Sequence, residues 1–111
     1  MSVIEEAKKL ISVPSVTKNE AEVGRYLAER CRALGCRTEL IPVDGDRANV
    51  LAVLEGRESD GTLGILFHGH MDTIAPYTMD EPFSPEIRDN HLWGRGSVDQ
   101  KGGIAASEVW L

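Results

Sequence analysis

The sequence predicts an α/β domain in which helices flank a mixed sheet. Two segments near the N-terminus carry apolar residues at helical spacing, and a third apolar segment of this kind begins at Gly102. Between them lie two short apolar runs, residues 50–54 and 63–67, which are bounded by polar loops as is typical of strands covered on both faces. Because covered strands and amphipathic helices bury their apolar faces against one another in layers, the α/β class follows.

The first helix is predicted to run from residue 3 to about Ser12. Ser2 and Glu5 form an S-x-x-E capping box at its start. Apolar residues then recur every three or four positions, which is the spacing of one helix face. Pro14 is expected to end the helix, since proline has no backbone N–H to continue the ladder of hydrogen bonds.

The second helix is predicted to follow Thr17 and Glu20, which repeat the capping-box pattern. Gly35 stands where a left-handed residue commonly ends a helix. The apolar face between these signals comprises Val23, Leu27, Cys31 and Leu34. With Cys31 on that face, and Cys36 spaced unlike a C-x-x-C pair, we expect both thiols to be reduced and structural.

Strands and loops occupy the rest of the chain. Residues 38–43 alternate and contain Pro42, which predicts a short strand near a sheet edge, followed by a turn at 44–46. We expect residues 50–54 and 63–67 to form the centre of the sheet. Residues 69–85 carry three prolines and little periodicity, so they predict a long functional loop. A further turn is expected at Asp89 and Asn90.

Composition narrows the class of protein. The 111 residues contain 12 Lys and Arg against 18 Asp and Glu, a formal charge of −6. The pI of about 5.0 and the scattered basic residues argue against nucleic-acid binding, which uses clustered positive charge. The longest apolar run, residues 50–54, is too short to cross a membrane, and the N-terminus lacks the pattern of a secretory signal. We therefore expect a cytoplasmic protein with no membrane partner.

The first group of residues suited to chemistry directly follows the predicted strand at 63–67. It reads His68-Gly-His70-Met-Asp72-Thr73, and ligands of open α/β sheets gather at such strand ends. In an extended segment His70 and Asp72 point to the same side. The Asp72 carboxylate could then accept a hydrogen bond from one ring nitrogen while the other faces a metal. A simple hydrogen bond within a loop explains the same triplet.

The second group is glycine-rich and precedes the third helix. It runs from Gly94 to Gly103 with the sequence GRGSVDQKGG, and its four glycines imply unusual dihedrals or close backbone approach. Asp99 stands just before the helix, where it could act as an N-cap or bridge two divalent ions. Arg95 could bind a substrate carboxylate or a local acid. No chemical role is assigned to Lys101.

Taken together and in this order, the two groups resemble the zinc-dependent family of acetylornithine deacetylase, succinyl-diaminopimelate desuccinylase, aminoacylase and glutamate carboxypeptidase. That family has a G-H-x-D-T/V segment after a strand, matched by residues 69–73, and a G-R-G-x-x-D-x-K-G-G segment, matched at every fixed position by residues 94–103. Residues 14–16 and 81–83 are also similar to the family.

The resemblance implies roles for individual residues. His70 would be a metal ligand, Asp99 would bridge two metal ions, and Asp72 would be the catalytic residue that orients His70. The cofactors implied are two Zn²⁺ ions, with Co²⁺ or Mn²⁺ as alternatives. The peptide bond after Asp99 is often cis in this family. The activity implied is hydrolysis of the amide bond of an N-acyl amino acid or small peptide by a zinc-activated water.

The family's general-base glutamate, its further ligands and its lid domain have no counterpart in this sequence. We therefore expect residues 1–111 to be the N-terminal part of a zinc-exopeptidase-like catalytic domain, inactive alone and homodimeric when complete. One alternative is a non-catalytic module that docks a partner or associates with itself. Another is a metallo-β-lactamase-like hydrolase, whose H-x-H-x-D-H signature is matched except that Thr73 replaces the last histidine.

Overall fold

The structure, a computed structural model, describes residues 1–58 and 60–111. Helices α1 (Val3–Ser12) and α2 (Ala21–Ala33) come first, followed by strands β1 (Arg37–Asp44) and β2 (Arg47–Val53). Two short strands, β3 (Glu86–Arg88) and β4 (His91–Trp93), precede a kinked turn at Ser97–Lys101 and helix α3 (Gly102–Trp110). The α/β class is confirmed, with short antiparallel sheets and three helices in the described residues.

Helix α1 has the N-terminal cap that the sequence predicts. The Ser2 hydroxyl accepts a hydrogen bond from the Glu5 N–H, and the Glu5 carboxylate accepts one from the Ser2 N–H. The helix ends at Ser12, two residues before Pro14. Helix α2 ends as predicted, because Gly35 adopts a left-handed φ of +91° just after it.

The predicted N-terminal cap of α2 is wrong. Glu20 is its N-cap residue, and no side chain caps the first turn. The Thr17 hydroxyl donates instead to Asp72, far along the chain. A capping hydroxyl accepts a hydrogen bond from a backbone N–H of the first turn, but α2 begins only at Ala21, so Thr17 lies outside the cap position.

The sheet differs from the prediction. β1 pairs antiparallel with β2, and β3 pairs antiparallel with β4, so the described residues form two separate two-stranded sheets rather than one mixed sheet. Residues 63–67 form no strand in the described part of the chain, and Leu63 and Leu66 are exposed. A strand is defined by a hydrogen-bonded neighbour, and an apolar run alone does not supply one.

The hydrophobic core lies between the helices. Its buried residues come from all three helices and are Ala7, Leu10, Val23, Leu27 and Ala105. α1 packs against α3, while α2 packs on β1 and β2. This arrangement leaves β2 only half-buried, although the sequence predicted a strand covered on both faces. Both cysteines are buried and free, as predicted.

Two carboxyl groups are buried where the three helices meet. Glu6 of α1 is fully buried, accepts a hydrogen bond from the Tyr26 hydroxyl and lies 3.6 Å from Nε of Arg30. Glu108 of α3 is also buried, and its oxygens have no hydrogen-bond partner within residues 1–58 and 60–111. Burial and the neighbouring Glu6 raise the pKa of Glu108 to about 9. Glu108 is therefore protonated at neutral pH.

Candidate metal site

The three predicted site residues lie together in space. His70 and Asp72 are in the loop after residues 63–67, and Asp99 is in the kinked turn before α3. Nδ1 of His70 lies 3.1 Å from Oδ1 of Asp72 and 3.0 Å from the Asp72 carbonyl oxygen. Nε2 of the same ring lies 2.8 Å from Oδ1 of Asp99. One imidazole thus joins both motifs.

The loop that carries His70 is tied to the connection between α1 and α2. The Thr73 N–H donates to the Ser15 carbonyl at 2.8 Å, and the Thr17 N–H donates to the Thr73 carbonyl at 3.0 Å. These bonds surround a parallel bridge between Val16 and Thr73. The buried Ser15 hydroxyl also donates to the Met71 carbonyl at 2.8 Å. The segment similar to the family at 14–16 therefore supports the loop.

Asp99 lies in non-helical backbone and is not a helix cap. Its φ and ψ are −120° and 86°, and the peptide bond to Gln100 is cis, as expected from the resemblance. The N-cap residue of α3 is Lys101. Of the two interpretations of Asp99, the N-cap is therefore wrong for this structure. The carboxylate is instead directed to His70 and is 77% exposed.

Gln100 connects the two motifs at a second point. Its Oε1 accepts a hydrogen bond from the backbone N–H of His70 at 2.8 Å. A Cβ on Gly69 would lie 2.7 Å from the same Oε1, so a side chain there would displace the Gln100 amide. The amide of Gln100 and the missing side chain at Gly69 together let the turn approach the loop. Nothing in the sequence pattern singled out Gln100.

Gly96 explains part of the glycine-rich pattern. Its φ of +88° is in the left-handed region, and a Cβ there would lie 2.7 Å from Cγ2 of Thr73. A side chain at this position would therefore be strained and would push against the loop that carries His70. The expectation of close backbone approach in this segment is confirmed.

Lys101 has a structural function that the sequence pattern does not indicate. Its side chain is buried, and Nζ donates hydrogen bonds to the carbonyl oxygens of Leu10 at 2.8 Å and Val13 at 2.7 Å. These carbonyls end α1, where free acceptors and a partial negative charge accumulate. Burial lowers the pKa of Lys101 to about 8. The lysine fastens the turn that carries Asp99 to α1.

The surroundings of His70 favour the positively charged form of its imidazole. Desolvation lowers the pKa of His70, but its bonds to Asp99 and Asp72 outweigh this effect and raise the pKa above the ordinary value. The hydrogen bond from Thr17 is the main cause that lowers the pKa of the Asp72 carboxyl. The Asp72 carboxylate therefore stays ionised beside the imidazole at neutral pH.

The donor atoms fit part of a zinc site. An imidazole nitrogen and a carboxylate oxygen are both zinc ligands, and His70 is 47% exposed, so an ion can reach it. Within residues 1–58 and 60–111, however, no three His, Cys, Asp or Glu side chains are grouped to hold an ion. A structural zinc site takes four protein ligands and a catalytic one takes three. His70 and Asp99 fit as contributors to a site that needs further donors.

A cavity of about 250 Å³ lies beside Asp99. It is lined by residues 94–99 together with Ile74 and Met79. Arg95 is one of the lining residues, and its Nε is buried without a hydrogen-bond partner in the described chain. The expected ion pair between Arg95 and a local acid is absent from the described residues.

No helix described is long and apolar enough to span a membrane.

Comparison with known proteins identifies relatives that share this segment. Residues 66–108, which include His70, Asp72 and Asp99, match the model of peptidase family M20/M25/M40. The chain is 44% identical over 110 residues to a succinyl-diaminopimelate desuccinylase of Sphingopyxis alaskensis, an alignment that covers 93% of this chain and 28% of the relative. It is 38% identical over 112 residues to the enzyme of that name from Bordetella petrii, with 97% and 28% covered.

A relative with a different name matches as well. The N-formyl-4-amino-5-aminomethyl-2-methylpyrimidine deformylase of Halalkalibacterium halodurans is 33% identical over 93 residues, which are 80% of this chain and 22% of the relative. The chain thus spans about a quarter of the length of the curated relatives it matches. The resemblance seen in the two motifs is confirmed, because residues 66–108 match the model of peptidase family M20/M25/M40.

Proposed function

We propose that this chain is part of a metal-dependent hydrolase that cleaves the amide bond of an N-acyl amino acid or small peptide. The observation that carries the proposal is the meeting of His70 Nε2 and Asp99 Oδ1 at 2.8 Å, since both are zinc-ligand atoms and each stands in a motif of the family. The names of the relatives, which are desuccinylases and a deformylase, support removal of an acyl group as the reaction class.

In this proposal each site residue has one task. His70 would hold one metal ion through Nε2, and the carboxylate of Asp99 would bridge two ions. Asp72 accepts the Nδ1 hydrogen of His70, which fixes the tautomer and leaves the Nε2 lone pair for the metal. Two Zn²⁺ ions, with Co²⁺ or Mn²⁺ as alternatives, would supply when bound a water of lowered pKa and a polarised substrate carbonyl.

We assign residues 1–111 to the N-terminal part of a zinc-exopeptidase-like catalytic domain. The remaining ligands, the general base and a lid domain then lie on other parts of a longer protein, which is a homodimer. This assignment is supported by the quarter of the relatives' length that the chain spans and by the incomplete ligand set of the described residues. Residues 1–111 alone are expected to be inactive and to bind zinc weakly.

The test measures zinc content and hydrolysis of N-succinyl and N-acetyl amino acids by the complete protein. Asp99→Ala is compared with Asp46→Ala, which removes an exposed carboxylate from the turn between β1 and β2. We expect Asp99→Ala to lose zinc and activity and Asp46→Ala to keep both. Unchanged zinc content and rate in Asp99→Ala would refute the bridging role.

The competing interpretation is a non-catalytic module that docks a partner. Intact mass of the protein from its natural source separates the two. A natural chain that ends at Leu111 would exclude the hydrolase assignment for this polypeptide. Tight binding of two zinc ions by residues 1–111 would contradict the predicted need for further ligands.

A further inference from the structure

We propose that Thr17 is a positioning residue of the metal site, which orients the Asp72 carboxylate through its hydroxyl and thereby strengthens the binding of metal at His70. The inference rests on the proposed function, because it assumes that His70 is a ligand. It adds a residue that lies outside both glycine-containing motifs, 55 positions before Asp72.

The carboxylate of Asp72 contacts both Thr17 and His70. Its Oδ2 accepts the Thr17 hydroxyl at 2.5 Å, and its Oδ1 lies 3.1 Å from Nδ1 of His70. The Thr17 hydroxyl has one proton, and its other neighbour, the Thr73 carbonyl, is farther away at 3.3 Å. Since each oxygen of Asp72 has its own partner, the hydroxyl fixes the rotation of the carboxylate that faces the imidazole.

The hydroxyl itself is held by the backbone. The Thr17 N–H donates to the carbonyl of Thr73, the residue after Asp72, and Val16 pairs with Thr73 in a parallel bridge. Thr17 and Asp72 therefore sit on two segments that are hydrogen-bonded to each other. Because the backbone already holds the Thr17 hydroxyl in place, the hydroxyl orients Asp72 before metal binds, and metal binding does not have to order it.

The same hydroxyl is not used for the task that its sequence position suggests. Thr17 and Glu20 have the spacing of a capping box, yet the first turn of α2 has no side-chain cap. Glu20 instead accepts hydrogen bonds from the Lys18 N–H and from Arg47. The Thr17 hydroxyl therefore contacts Asp72 and does not cap the helix.

Removing a hydrogen-bond partner of this kind typically lowers metal affinity about 10–100-fold. Thr17→Val removes the hydroxyl and keeps the branched shape, while Thr17→Ser keeps the hydroxyl. Thr62→Val is the matched control, because the Thr62 hydroxyl donates to a carboxylate oxygen of Asp60 at 2.6 Å in a separate exposed loop.

The experiment measures the Zn²⁺ dissociation constant of the complete protein by competition with a chromophoric chelator. The visible absorption spectrum of the Co²⁺-loaded protein is recorded for the same variants. We expect about 10–100-fold weaker zinc binding and a changed Co²⁺ spectrum in Thr17→Val, with Thr17→Ser and Thr62→Val close to wild type. Circular dichroism verifies that each variant is folded.

The outcomes separate this inference from the function on which it rests. Wild-type protein that binds no zinc would overturn both. Wild-type protein that binds zinc, with an unchanged dissociation constant and spectrum in Thr17→Val, would overturn only the role of Thr17. A loss in Thr17→Ser as large as in Thr17→Val would also overturn it, because the hydroxyl would not be the cause, and this comparison holds even if Thr17→Val does not fold.

Discussion

Nε2 of His70 lies 2.8 Å from Oδ1 of Asp99, although 29 residues separate the two in the chain. Between them lie the long loop and the β3–β4 hairpin. The hydrogen bond from the His70 N–H to Gln100 and the burial of Lys101 against α1 support this contact. The two motifs of the family therefore form one site only because the turn and the loop are each fastened to the helical core.

The metal-free protein should show a His70 imidazole that is more basic than usual. The pKa of His70 is raised by Asp99 and Asp72, against the effect of desolvation, and Asp99→Asn should lower it, because the neutral amide no longer stabilises the imidazolium. A pH titration followed by NMR of the imidazole measures this. The raised pKa contributes stability that is present below about pH 6.5 and is lost as the pH rises through the folded-state value. Asp99→Asn should reduce that dependence, and an unchanged His70 pKa would contradict the contact.

Gly96→Ala should destabilise the protein more than Gly45→Ala. Both glycines have positive φ, but a Cβ at Gly96 would meet Thr73 at 2.7 Å, whereas nothing lies within 4 Å at Gly45. We expect about 1 kcal/mol for the left-handed backbone alone and about 2 kcal/mol or more where the overlap is added. Urea denaturation of both variants measures the difference. Equal losses would show that the contact with Thr73 relaxes freely.

Lys101→Met should weaken the packing of the turn at Ser97–Lys101 against α1. Two hydrogen bonds from a buried ammonium to the Leu10 and Val13 carbonyls are lost, and a free-energy loss of roughly 1.5–3 kcal/mol is expected. Lys9→Met is the control, because Lys9 is exposed on the same helix. Thermal melts of the two variants make the comparison. A Lys101→Met melting temperature equal to that of the control would mean that the buried ammonium gives no net stabilisation.

Glu108 should make the protein less stable as the pH rises. Its pKa of about 9 in the folded state exceeds the ordinary value of 4.5, so the unfolded chain releases a proton that the folded chain keeps. The stability that the protonated carboxyl provides is complete below about pH 4.5 and declines as the pH rises toward 9. The stability of the Glu108→Gln variant should depend less on pH. At pH 8 its free energy of unfolding should exceed that of wild type by about 1 kcal/mol or more.

Urea denaturation of wild type and Glu108→Gln at pH 5, 7 and 9 checks this prediction. Tyr26→Phe provides a comparison, because it removes the hydrogen bond to Glu6 and leaves Glu108 in place. A pH dependence of Glu108→Gln that parallels wild type would show that Glu108 ionises normally in the folded protein.

The helices and the turns at residues 44–46 and 89–90 could be predicted because their signals are local. The capping box at Ser2 and Glu5 and the left-handed Gly35 specify helix ends through backbone hydrogen bonds a few residues away. The turn at Asp89 and Asn90 is equally local, and both residues have positive φ between β3 and β4. The strand predicted at residues 63–67 failed because a strand depends on a neighbour, and apolar content does not indicate which segment pairs with it.

The sequence by itself determined the resemblance to peptidase family M20/M25/M40, through the spacing of His70, Asp72 and Asp99 within two motifs. It also determined the types of donor atom that a metal would meet. Only the tertiary structure decided that the Thr17 hydroxyl serves Asp72 rather than α2, and that Lys101 is buried against the end of α1. Side-chain hydrogen bonds between segments 55 and 91 positions apart depend on how helices and loops pack, and a local pattern carries no information about such distances.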